Sequence, residues 1–204
     1  MRFSPPRLPR FRTLAIDGAD IHEIEGPPTP KPPFGWGLCE FDSTGAYAVW
    51  DGIGLMALEV GFRSQRESAC AAMNTLRNFG CDCSMSFFSS DDGASEYLRL
   101  AMEGGEIRLH VAVSDFQLSV YRMAAAIVPG TTLTYGQIAA RLGHPRSARA
   151  VARALAANKA ALAIPCHRVV PAAGGAGGWR WGRHLKETVL TAEADGHLEK
   201  LLSE

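Results

Sequence analysis

The chain has 204 residues, 47% of them hydrophobic, and its 21 basic side chains balance 21 acidic ones to a formal net charge of zero. This length and composition allow one large domain or two small ones with real cores, and exclude a fibrous or low-complexity chain. No run approaches the roughly 20 consecutive apolar residues that cross a bilayer, which excludes a helical membrane span.

The start, "MRFSPPRLPRFRTLAI", has charges and prolines where a signal peptide needs an apolar stretch. The five cysteines are odd in number and follow no regular spacing. Both point to a reduced, cytoplasmic protein. Residues 1–33, through "EGPPTPKPPFG", are rich in proline and poor in pattern, so an irregular arm is expected there. From Trp36 to Phe62 the runs "WGLCEF", "AYAVW" and "LMALEVGF" are punctuated by "DSTG" and "DGIG", which predicts an antiparallel meander. Helices are expected near Gln65–Asn78 and Gly93–Met102, then a strand in "IRLHVAV". Residues 34–115 therefore read as a small α/β domain. Cys81 and Cys83 in "CDC" have no second pair to complete a zinc site, and neither a metal nor a cofactor is expected.

The zero net charge hides an asymmetry. Met1–Asp115 carries a balance of −6 and Phe116–Glu204 one of +6, and Phe116–Lys186 holds ten basic residues with no acidic one. Such a bias predicts an anionic partner. In "FQLSVYRMAAAI", Phe116, Val120, Met123 and Ile127 recur at helical spacing. A second helix is expected over about Tyr135–Leu142, with Thr134 as N-cap and Gly143 as its stop, and a third from near Ser147 to Asn158. Two short helices joined by a tight turn suggest a helix-turn-helix whose second member faces nucleic acid. That helix is dominated by Ala148, Ala150, Ala152, Ala154, Ala156 and Ala157. Small residues let a backbone approach the narrow minor groove closely, but they also make a good helix that packs a core.

"ALAIPCHRVVPAAGG" sets Cys166 between Pro165 and His167. Neighbours on an extended segment face opposite ways, so thiol and imidazole meet only if the backbone turns or a water joins them. In "HLKETVLTAEADGHLEKLL", Leu185, Val189 and Ala192 form an apolar stripe, and Glu193 falls on the same face. An inward carboxylate needs a partner. Glu193 can orient His167, which in turn takes the Cys166 proton, and Arg168 is expected to lower the thiol pKa.

These residues carry a resemblance. "PCHRVV", with "TYGQIAARLGHPRSARAVARALAANK" before it and "GGWRWGRHLKETVL" after it, resembles the catalytic domain of the O6-alkylguanine-DNA alkyltransferases, particularly the adaptive-response type. The resemblance implies an α/β protein of two domains: a ribonuclease-H-like N-terminal domain over 34–115 and a helical domain over 116–204 with a winged-helix-like helix-turn-helix. It implies a monomer that binds double-stranded DNA containing O6-alkylguanine, with O4-alkylthymine as a second substrate. The base is flipped from the minor-groove side and its alkyl group passes irreversibly to Cys166. By the same resemblance His167 deprotonates Cys166 through a water, and Glu193 holds His167. Tyr135 crowds the flipped nucleotide's phosphate and protonates the departing guanine, while Asn158 braces the turn before the cysteine loop. Arg149 fills the gap in the base stack, with Arg146, Ala150, Ala152 and Arg153 beside it on the DNA. Val169 offers its carbonyl to the guanine, and Pro165, Trp179, Arg180 and Trp181 line the pocket, with the Trp181 indole narrowing it. Tyr121 stands where the family often has tryptophan, and the four-cysteine regulatory zinc domain of the adaptive-response proteins has no counterpart. A cysteine hydrolase using the same three side chains and a non-catalytic alkylation sensor remain as rival readings.

Overall fold

The computed structural model describes residues 10–24, 34–42, 44–62, 64–79 and 87–202. The predicted meander is three antiparallel strands: β3 (Phe34–Phe41), β4 (Thr44–Trp50) and β5 (Leu55–Phe62), preceded by β1 (Arg10–Asp17) and β2 (Asp20–Ile24). After α1 (Gln65–Asn78), β6 (Phe87–Ser89), α2 (Asp91–Glu103) and β7 (Ile107–Val113), a seven-stranded mixed sheet is complete in the order β2-β1-β7-β5-β4-β3-β6. Its pairings are antiparallel except β5 with β7 and β3 with β6.

The proposed irregular arm needs correcting, because residues 10–24 are a β-hairpin. In "RTLAIDGADIHEI" Thr13, Leu14, Ala15 and Ile16 are buried in one run on β1 and Ile21 on β2, and β1 completes its hydrogen bonding on β7. The prolines that suggested an arm are at 5, 6 and 9 and at 27–33, so they flank the hairpin and lie outside the described residues, as do Cys81 and Cys83.

Period-two alternation on β4 serves both faces of the sheet. Ala46, Ala48 and Trp50 belong to the main core, while Tyr47 and Val49 pack with Phe34, Met56 and Ala72 under α1. The chain continues through α3 (Asp115–Ala125), β8 (Leu133–Thr134), α4 (Tyr135–Arg141), α5 (Ala148–Ala156), β9 (Val169–Val170) and α6 (Arg183–Ala194), with β8 and β9 in a small parallel pair. Thr134 caps α4 with a full capping box to Gln137, and Gly143 takes the left-handed conformation after it, φ +77°.

The two halves share one apolar core, in which Leu58, Leu109 and Val113 join Val120, Val151, Leu155, Ile164 and Val189. The chain after α5 pairs with β5, an interior strand, just past its single pairing with β7 at Leu55 and Leu109: the Leu58 N–H donates to the Lys159 carbonyl at 2.8 Å and the Ala161 N–H to the Leu58 carbonyl at 2.7 Å. Among the described residues no helix is long and apolar enough to cross a membrane.

Candidate active site and nucleic-acid interface

Cys166 opens a one-turn 3-10 helix, Cys166–Arg168, so the backbone does turn at the thiol. The side chain is 5% exposed, and Sγ accepts hydrogen bonds from Asn158 Nδ2 at 3.3 Å and Trp179 Nε1 at 3.2 Å. Burial pushes the thiol pKa up, opposed by these two donors and by the nearby Lys186 ammonium. Arg168 was expected to lower that pKa; instead its guanidinium is turned away to a carboxylate.

That carboxylate is Glu193. His167, fully buried, meets Glu193 Oε1 through Nε2 at 2.8 Å, and Arg168 donates to Glu193 through Nε at 3.1 Å to both oxygens and through Nη2 at 2.8 Å to Oε1. Burial alone would raise the Glu193 pKa, but the hydrogen bonds from His167 and Arg168 reverse it and hold it at about 2. Desolvation lowers the His167 pKa despite the carboxylate beside it, so the imidazole is uncharged at neutral pH. Its Nδ1 is buried with no hydrogen-bond partner among the described residues. The Gly130 N–H also reaches Glu193 Oε2 at 3.4 Å. A side chain on Gly130 would sit 3.2 Å from the Glu193 carbonyl at a φ of +75°, so "VPG" must end in glycine for α3 to return past α6.

Asn158 closes the turn between α5 and the cysteine loop. Its Nδ2 also donates to the carbonyls of Ala160 at 3.2 Å and Ile164 at 3.0 Å, and its Oδ1 accepts from the Ala160 N–H at 2.9 Å. The thiol borders a cavity of about 150 Å³ lined by Tyr135, Ala152, Leu155, Ala156, Gly178, Trp179 and Arg180. Tyr135, half-buried at the start of α4, has its pKa raised by burial and by Cys166, and therefore keeps its proton at neutral pH.

Three residues assigned to the pocket from the sequence are not among those lining it. The Trp181 indole N–H is drawn to Glu59 Oε2 at 3.0 Å, and its ring packs edge-on to Trp179 with centroids 4.9 Å apart. Trp179, two residues earlier, is the ring beside the thiol. Pro165 lines a separate cavity with Leu162, Ala163 and Arg168. Val169 is buried, and its carbonyl accepts from the Lys186 ammonium at 2.7 Å. Lys186, wholly buried, was not singled out from the sequence; its place on the apolar side of "HLKETVL" beside Leu185 and Val189 was the available signal.

On α5 the apolar side chains Val151, Ala154 and Leu155 face the core, Leu155 also lining the cavity with Ala152 and Ala156, and Arg149 and Arg153 are exposed. Ala150 is half-buried, and Arg146 is exposed in the preceding turn. Of the ten basic residues in the acid-free stretch, six are used internally. Arg168 holds Glu193, Lys159 and Arg180 hold Glu59, Arg183 pairs with Glu187, Arg122 donates to the Ile21 carbonyl, and Lys186 to Val169. Arg141, Arg146, Arg149 and Arg153, all exposed on and around α4 and α5, make no ion pair among the described residues. Arg141 was not assigned from the sequence, although it lies in the same run.

Residues 115–195 match the family described as "6-O-methylguanine DNA methyltransferase, DNA binding domain". The chain is 42% identical over 80 residues to a methylated-DNA--protein-cysteine methyltransferase of Kluyveromyces lactis, covering 39% of this chain and 42% of that protein. It is 44% identical over 87 residues to the bifunctional transcriptional activator/DNA repair enzyme Ada of Escherichia coli, covering 43% of this chain and 25% of that protein. The chain thus matches less than half the length of these curated relatives. A crystal structure of Mycobacterium tuberculosis OGT in complex with DNA superposes with a TM-score of 0.60 at 24% identity, over 79% of this chain and 93% of that one. Over residues 115–195 the chain is therefore similar in sequence to the DNA-binding domain of the 6-O-methylguanine DNA methyltransferases, and over most of its length it shares the α/β fold of the mycobacterial OGT.

Proposed function

We propose that this protein repairs double-stranded DNA by moving the alkyl group of O6-alkylguanine onto Cys166, once per molecule. The observation that carries the reading is a buried thiol held by two side-chain donors, beside a His167–Glu193 pair, on a small cavity, with four exposed arginines on and around α4 and α5 that make no ion pair among the described residues. Burial keeps the thiol protonated at rest, so a base is required, and the free Nδ1 of neutral His167 is the available one. A water bridges Sγ and Nδ1 and carries the proton, and Glu193 stabilises the imidazolium. The thiolate attacks the alkyl carbon in line, the C–O6 bond breaks with its electron pair left on guanine, and Tyr135 supplies the proton that neutralises the base. The resulting thioether is not hydrolysed.

The cavity admits one base and not a duplex, so the nucleotide must be extruded, and Arg149 fills the gap from α5. On this reading the N-terminal sheet is the ribonuclease-H-like domain, and α4 and α5 with the β8–β9 pair are a helix-turn-helix of winged type. The protein acts as a monomer in the cytoplasm and needs neither metal nor cofactor. Incubation with duplex DNA containing O6-methylguanine, followed by intact mass, tests this. One methyl per chain on Cys166 is expected, and none in Cys166→Ser, whose hydroxyl scarcely ionises at neutral pH. Sustained release of product would instead identify a hydrolase, and an unmodified chain would leave only a DNA-binding protein.

A further inference from the structure

A second buried carboxylate is bound to the pocket loop through Arg180 and Trp181. Glu59, in the middle of β5, has a side chain only 6% exposed. It accepts four hydrogen bonds: from the Tyr47 hydroxyl at 3.1 Å and Lys159 Nζ at 2.9 Å on Oε1, and from Arg180 Nε at 3.2 Å and Trp181 Nε1 at 3.0 Å on Oε2. Two routes run from this carboxylate to the thiol. Lys159 is the neighbour of Asn158, which donates to Sγ. Trp181 packs edge-on to Trp179, the other donor to Sγ. Arg180 lines the cavity itself and also reaches the Ala156 carbonyl at 3.4 Å.

The backbone is shaped for the contact. Gly61 takes a φ of +82°, and a side chain there would lie 3.0 Å from the Trp181 carbonyl, so the loop comes down onto the strand where only glycine lets it. Lowering an acid into an apolar strand is costly, and three of its four donors, Lys159, Arg180 and Trp181, are drawn from the two segments that bear on Cys166.

We propose that Glu59, on the sheet of the N-terminal half, is a positioning residue that sets both Sγ donors and the Arg180 wall of the pocket. This rests on Cys166 being the acceptor, but its principal readout needs no DNA. The Lys159 and Arg180 charges hold the Glu59 carboxyl below its ordinary pKa against the effect of burial, so it is ionised at neutral pH.

The test is the rate of Cys166 alkylation by iodoacetamide as a function of pH, with circular dichroism as the check on folding. Glu59→Gln keeps the shape and removes the charge that holds Lys159 and Arg180. Its profile is expected to move up by about one pH unit, an about tenfold loss of reactivity at a fixed pH below the midpoint. The rate of methyl transfer from bound DNA should fall with it, while DNA affinity stays within about twofold, because the four exposed arginines are untouched. A folded Glu59→Gln with the wild-type thiol profile overturns the proposal, whether or not methyl transfer is detected. Should Glu59→Gln fail to fold, Trp181→Phe decides, since it removes one N–H and keeps a ring against Trp179. A shift in the same direction supports the proposal, and a wild-type profile refutes it.

Discussion

Glu193 does three jobs with two oxygens: it fixes the tautomer and tilt of His167, neutralises Arg168, and ties the Gly130 turn to α6. The ionised form is what all three partners favour, so the group should appear in the acid stability of the protein. Its folded pKa, about 2, lies below the ordinary value of 4.5, so between those values the unfolded chain binds the extra proton and stability falls as pH falls. His167 acts in the same direction from a higher pH, because its folded pKa lies below 6.5. Stability to urea should therefore begin to fall below about pH 6.5 and fall further below about pH 4.5, with Glu193 contributing at most about 3 kcal/mol. Glu193→Gln should flatten the part below pH 4.5. Parallel curves for the two proteins would show that the carboxylate is not held as described.

At the scale of the element, α5 divides seven of its nine residues among three tasks: Val151, Ala154 and Leu155 pack, Ala152 and Ala156 shape the cavity together with Leu155, and Arg149 and Arg153 face out. The choice between a groove-hugging and a core-packing alanine helix therefore has no single answer, because successive alanines point in different directions at 100° per residue. Arg149 and Arg153, one turn apart, are separable by substrate. Arg149→Ala should slow reaction with duplex O6-methylguanine about tenfold and leave reaction with the free modified base unchanged, since only a duplex has a gap to fill. Arg153→Ala should weaken affinity for all duplexes alike, as loss of a phosphate contact does. Equal losses on duplex and free base for Arg149→Ala would reduce it to a phosphate contact as well.

For the whole molecule, the acid-free stretch overstates the charge available to DNA. Six of its ten cations are committed to Glu193, Glu59, Glu187 or backbone carbonyls, and four remain on the α4–α5 surface. Counterion release contributes a slope of about −0.9 per phosphate neutralised, so the logarithm of DNA affinity should fall against the logarithm of salt with a slope of about −3 to −4. Ten free cations would give about −9. A titration across salt concentrations decides between the two, and a flat response would remove DNA as the partner.

The sequence by itself determined most of the elements from Trp36 onward and the pairing of His167 with Glu193 beside Cys166. Strand alternation between "DSTG" and "DGIG", the Thr134 capping box and the spacing of Val189 and Glu193 are local signals, legible because side-chain period and cap chemistry act within a turn or two. "PCHRVV" and the inward Glu193 were enough to bring Cys166, His167 and Glu193 together. Only the tertiary structure decided that residues 10–24 join the sheet, because β1 is held by β7, about one hundred residues away, and nothing local marks the pairing. It also decided which tryptophan stands beside the thiol. Both indoles of "GGWRWG" are equivalent as sequence, and the buried Glu59 on a distant strand claims the N–H of Trp181, leaving that of Trp179 for Cys166. Arg168, adjacent to the site in sequence, turns to Glu193 for the same reason: an unpaired buried carboxylate costs more than a basic neighbour gains by facing a protonated thiol.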